Sequence, residues 1–218
     1  LIDHFQPDVI HAYGWYSYSV AVALTGKSIP LLISARDYAY GCATRTLVQR
    51  GEHMCSGPAL GKCLDCAGKL YGPPKGASAA LGVRIGDLLL RRKVTGIHSI
   101  STYVQQMVHR DFLDGTGGNE AGLVEAIIPS FRENDAAEPY GADPAVQPYL
   151  DRLPAKPFIL FVGALRRVKG VEQLLEAYTR LRGAPPLVLI GTYEHDSPRA
   201  FPPGVSVLSD VPHRAVMA

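Results

Sequence analysis

Short runs of branched and aromatic residues recur along the chain, and between them apolar positions return every three or four residues. The runs read as buried strands and the intervening spacing as amphipathic helices. Strands are expected over 8–12, 30–35, 96–100 and 124–129, and again over 158–163, 187–191 and 205–208. A helix is expected over 18–27, and another over 79–93 with Leu81, Ile85, Leu88 and Leu89 on one face. Val104, Met107, Val108 and Phe112 form the stripe of a third, with Ser101 or Thr102 as its N-cap. A fourth, over 171–182, carries Val171, Leu174, Leu175, Tyr178 and Leu181 on one side. Strands alternating with helices imply parallel sheets joined by right-handed crossovers.

The rhythm breaks twice. Residues 36–77 form a long, irregular, cysteine-bearing insert, and residues 130–156 turn to Asp, Glu, Ala and the prolines Pro139, Pro144, Pro148 and Pro154. The second break reads as a linker with at most a short helix over 145–150. The expected architecture is α/β: two Rossmann-like parallel-sheet domains, both incomplete. The first covers 1–135 and contains the insert, the linker covers 136–156, and the partial second domain covers 157–218. The opening residues read as a helix end leading into a strand, and the last ones as a helix barely begun. Truncation at both ends is therefore expected, and the lack of a signal peptide says nothing about compartment.

Composition narrows the function classes. Of 218 residues, 47% are hydrophobic and 19% charged, ordinary for a globular α/β protein. A net charge of +2 lacks the concentrated cations of a nucleic-acid binder. No apolar stretch approaches the roughly 20 residues that span a bilayer.

The chemistry is expected at the carboxyl ends of the strands, where open parallel sheets bind ligands. That rule selects His11, Arg36 with Asp37, Ser99, Pro129 with Ser130, Gly163, and Gly191 with Thr192. After Gly163 the chain enters a turn carrying Arg166, Arg167 and Lys169, then a helix. A helix N-terminus offers unpaired N–H groups and partial positive charge, and the cations add to it, so the turn suits a phosphate. A solvated basic turn is the alternative. His11 is read either as an acceptor-side group or as a satisfied core histidine. Arg36 is read as a phosphate contact or as the partner of Asp37 or Asp65.

All four cysteines, Cys42, Cys55, Cys63 and Cys66, lie in the insert, and the last two form a CxxC pair. Four thiolates in a Gly/Pro-rich loop suit a tetrahedral structural zinc; free thiols, disulfides and an iron–sulfur cluster are the alternatives.

The segment "FILFVGALRRVKG" resembles the donor-diphosphate loop of GT-B-fold glycosyltransferases of family 4, which opens "FVGRL…KG". Four further segments resemble that family in its own order. "PDVIHAYGWYSYSVAVAL" is similar to its "PDVVHAH", and "IPLLISARDYAYGC" to its "IPVVxTxHDYxxxC". "GIHSISTYVQQMV" is similar to "ADxVIAVSxxVAxxL", and "AIIPSF" to "VIPNGVD". The departures are Arg36 for a histidine, Tyr13 for the second histidine of "HAH", and Ala164 for an arginine.

The resemblance implies a retaining glycosyltransferase that moves a sugar from a nucleotide-sugar donor to a glycan, lipid-linked or small-molecule acceptor. It implies catalytic roles at Arg36 and Asp37, donor contacts at Gly163, Arg166, Lys169 and Gly191, and an acceptor-side role for His11. No catalytic metal is implied. The cysteine loop becomes a lid on the acceptor side, with Arg45, Arg50 and Lys62 available to an anionic or lipid-linked acceptor. A cytoplasmic location, with peripheral membrane association as one form of it, is the corresponding expectation. The family's glutamate-bearing donor segment falls after Ala218, so the isolated chain is expected to lack part of the donor site and to turn over little. A non-catalytic zinc-binding scaffold and a GT-B-fold epimerase or phosphorylase are the alternatives.

Overall fold

The computed structural model describes residues 2–113, 122–131 and 143–217. The chain divides into two compact units, Leu1–Arg132 and Glu133–Ala218. It is a mixed α/β protein with a four-stranded and a three-stranded parallel sheet.

The first unit begins with a helical turn, α1 (Ile2–Phe5), then β1 (Ile10–Tyr13), α2 (Tyr16–Ala23) and β2 (Leu31–Ala35). The crossover to the next sheet strand carries a two-residue-per-arm hairpin of β3 (Val48–Gln49) and β4 (His53–Met54), then α3 (Leu60–Tyr71) and α4 (Pro73–Arg91). β5 (Val94–Ser99), α5 (Thr102–Val108), a π-helical turn (His109–Leu113) and β6 (Val124–Ile127) complete it. The sheet order is β1-β2-β5-β6, so all four carboxyl ends share one edge. Leu31, Ile33 and Ile97 of the strands bury against Leu24, Leu90, Val104, Val108 and Phe112 of the helices. Ser101 is the N-cap of α5, accepting the Val104 N–H at 3.2 Å.

Two expectations for this unit need correction. The insert over 36–77 is not irregular throughout: its second half is α3 and the first turn of α4. Gly72, at φ 83°, ends the one helix and caps the next, a left-handed position suited to a residue without Cβ. The apolar stripe of α4 also faces the wrong way. Leu81, Ile85, Leu88 and Leu89 are exposed, whereas Gly76, Ala80, Val83, Gly86, Asp87 and Leu90 are buried. Small residues win that face because α3 and Tyr18 come close. A Cβ on Gly76 would overlap the α3 backbone at Gly68, and one on Gly86 would stand 2.7 Å from the Tyr18 ring.

The second unit contains α6 (Gln147–Leu150), β7 (Ile159–Val162), α7 (Val171–Arg180), β8 (Leu187–Ile190), β9 (Val205–Leu208) and α8 (His213–Met217). Its sheet order is β7-β8-β9. β8 is buried along its whole length, as a central parallel strand of Leu, Val, Leu and Ile should be. Val171, Leu175 and Tyr178 of α7 cover one face with Leu165, Leu187 and Leu189. Leu181, expected on that stripe, lies beyond the helix end and is exposed. Part of the segment expected as a linker, residues 136–142, lies outside the described residues.

Candidate functional site

The carboxyl edge of the second sheet is built around two glycines. Gly163 follows β7 at φ 153°, and its N–H donates to the Ile190 carbonyl at 2.9 Å. Gly191 follows β8, and a Cβ there would collide with the Gly163 carbonyl oxygen. The two expected donor glycines are therefore brought together, and neither tolerates a side chain. Leu165 then donates to the Thr192 carbonyl at 2.9 Å, tying the turn to the loop after β8.

The turn ends in a 3-10 segment, Arg167–Lys169, and Gly170 in the left-handed region (φ 77°) starts α7. Its three cations differ. Arg166 Nε donates to Asp196 Oδ1 at 3.1 Å. Burial tends to raise the Asp196 carboxyl, but the Arg166 hydrogen bond and charge outweigh it and hold it below the usual range. Arg167 pairs with Glu172 at 3.2 Å. Lys169 is exposed and, among the described residues, has no carboxylate partner. Asp196 carries no local signal in the sequence, being thirty positions from Arg166.

The edge of the first sheet is wired differently. His11 Nε2 lies 2.7 Å from Ser34 Oγ, Ser34 Oγ lies 3.0 Å from His98 Nδ1, and His98 Nε2 lies 2.8 Å from the Ile128 carbonyl. A carbonyl only accepts, so a neutral His98 carries its proton on Nε2 and accepts at Nδ1. Ser34 then donates to His98 and accepts from His11 Nε2, which leaves His11 Nδ1 as a lone pair. His11 is thus an exposed residue at the end of a relay across the sheet, and not a core histidine. Sequence reasoning found His11 but missed Ser34 and His98, which the strand register supplies.

Asp37 is fully engaged. Its Oδ1 accepts the Ala39 N–H at 2.9 Å, and its Oδ2 takes the Arg45 guanidinium and the Tyr13 hydroxyl. Arg36, for which pairing with Asp37 or Asp65 is the alternative to a phosphate contact, pairs with neither: Asp65 is held by Arg50 through bonds of 2.6 and 2.7 Å, and Asp37 by Arg45. The Arg36 guanidinium instead lies over the Tyr13 ring, 5.9 Å from its centroid. Arg45 and Arg50, expected to be open to an acceptor, are both committed to carboxylates. Ser99 is buried, and its hydroxyl has no hydrogen-bond partner among the described residues.

Beneath this edge Asp87 is buried on α4 and accepts the Tyr18 hydroxyl at 2.8 Å. Burial raises its carboxyl to about 7, against the Tyr18 hydrogen bond and the charges of Arg91 and Arg84. The four cysteines are free thiols and all border one small cavity. Burial pushes the Cys63 thiol up, and the nearby Cys42 and Cys55 sulfurs push it further. Among the described residues no helix is long and apolar enough to cross a membrane.

No family model matches the chain, and no curated protein matches it.

Proposed function

We propose that the chain belongs to a retaining glycosyltransferase of the GT-B, family 4 type, and that the turn between β7 and α7 binds the diphosphate of a nucleotide-sugar donor. The observation that carries this reading is Lys169. It is the one cation of the turn without a carboxylate partner among the described residues, and it stands where α7 begins, after a strand that ends on the Gly163–Gly191 contact. An exposed ammonium beside unpaired helix N–H groups suits an anion. As the glycosidic bond breaks, charge gathers on the leaving diphosphate, and fixed donors of this kind stabilise it. Arg166 is held by Asp196, so its role is to shape the turn.

In the first unit, the lone pair on His11 Nδ1 is suited to accept a hydrogen bond from an acceptor hydroxyl. Arg36, exposed with its guanidinium over the Tyr13 ring, offers its fork to an anionic group. Asp37 orders that loop through Arg45 and Ala39 and has little capacity left for proton transfer. This commitment favours the second reading, a non-catalytic scaffold, for the first unit's loop alone.

Calorimetric titration of the chain with UDP, GDP and ADP tests the proposal. At least one should bind, and Lys169→Ala should weaken it by at least tenfold, about 1.4 kcal/mol. Absence of binding, or equal affinity in the variant, overturns the assignment and leaves the scaffold reading.

A further inference from the structure

The four cysteines come from three separate pieces of the first unit: Cys42 after β2, Cys55 after the β3–β4 hairpin, and Cys63 with Cys66 one turn apart on α3. All four border the same cavity, together with Lys62 and Asp111. The cavity holds about 20 Å³. That is room for one atom-sized occupant, because a single water needs on the order of 10–15 Å³.

The loop that carries Cys42 and Cys55 needs a fastening. Arg45, Leu47 and Arg50 have φ of 62°, 52° and 56°, left-handed values that are costly for residues with a Cβ. Such positions persist only where the surroundings over-determine them. A hairpin with two residues in each arm cannot do that alone.

We propose that Cys42, Cys55, Cys63 and Cys66 bind one zinc ion in a tetrahedral all-thiolate site, which pins this loop to α3. Cys63 and Cys66 present their sulfurs from successive turns of one helix face. Among the described residues no three ligand side chains already converge on one point. The thiols are turned to local partners instead: Cys55 donates to the Gly57 carbonyl at 3.4 Å and Cys66 to the Val48 carbonyl at 3.7 Å. Binding releases four protons for one ion, ends both donations, and lets the sulfurs rotate into the cavity. The resulting centre carries charge −2. Lys62 on the cavity wall and the Arg50 N–H, 3.4 Å from Cys66 Sγ, offset it. Zinc suits the site because it is borderline-soft and imposes no redox chemistry. The consequence reaches the sheet edge, since the pinned loop supplies the Arg45 that clamps Asp37 and Tyr13.

Elemental analysis of the whole chain, purified without added metal, tests this. One zinc per chain is expected, with the four thiols unreactive toward Ellman's reagent until a chelator is added. Cobalt exchanged into the site should show sulfur-to-metal charge transfer and tetrahedral visible bands. Cys63→Ser and Cys66→Ser should each lose most of the metal, while Ser56→Ala keeps it. Four reactive thiols with no zinc, iron with acid-labile sulfide, or native disulfides by mass spectrometry would each overturn the proposal; the unmutated chain decides among them even if a serine variant does not fold.

Discussion

The two sheet edges handle charge in opposite ways. At the first, Asp37 is locked to Arg45, and even the histidines close on each other through Ser34 and a carbonyl. At the second, two arginines are matched by Asp196 and Glu172, whereas Lys169, in the same turn after the Gly163–Gly191 contact, has no carboxylate partner among the described residues. Matched charges shape a loop and gain little from a ligand, because a ligand must first replace the partner. An unmatched cation on a rigid turn has no such competition. In the proposed reading the second edge binds the strongly anionic group, and the first is a shaped surface with His11 and Arg36 exposed on it.

The largest effect expected concerns the rigidity of the second edge. Gly191→Ala forces its new Cβ against the Gly163 carbonyl, and backbone cannot move aside as a side chain can. Destabilisation of about 3 kcal/mol is expected, read from urea unfolding of the chain. A neutral result would mean that the glycine pair is not needed to hold the turn.

A pH-dependent effect separates the units further. The Asp87 carboxyl titrates near 7 in the folded state, above its ordinary value, and faces Tyr18, Arg91, Arg84 and the Gly41 N–H. Its raised value means the folded state holds a proton that the unfolded state has released. The stability this provides is complete below about pH 4 and is lost as pH rises toward 7, at up to about 1.4 kcal/mol per pH unit. Asp87→Asn should flatten that slope. The opposite trend belongs to Asp196, whose lowered carboxyl is stabilising above its unfolded value and loses that effect on acidification. Identical pH profiles for Asp87→Asn and the unmutated chain would remove Asp87 as a determinant.

The smallest effect is expected at the matched edge. Asp37→Asn weakens a partly exposed pair with Arg45, so a loss of about 1 kcal/mol in stability is expected, with no change in nucleoside diphosphate affinity. A loss of affinity there would blur the contrast between the edges.

Much of the fold was legible because burial writes itself into local pattern. The runs at Ile10–Tyr13, Leu31–Ala35 and Leu187–Ile190 are strands because branched residues fill a sheet covered by helices. α4 misled the same logic: Gly76, Ala80 and Gly86 face inward where Tyr18 and α3 lie against the helix, and Leu81, Ile85, Leu88 and Leu89 point outward. Gly163 and Gly191 were readable as turn residues, but their mutual contact was not, because it depends on the β7–β8 register. Likewise Asp196, Arg45, Ser34 and His98 meet their partners across loops and strands, and no spacing in the sequence encodes those distances.

The proposed diphosphate site depends on Lys169 being an available cation and Arg166 an occupied one. The most direct measurement is a calorimetric comparison of nucleoside diphosphate binding by the unmutated chain, Lys169→Ala and Arg166→Ala under one salt condition. Loss of at least tenfold in affinity for Lys169→Ala, with a clearly smaller loss for Arg166→Ala, is the predicted result. Equal losses in both variants, or a larger one for Arg166→Ala, would contradict it.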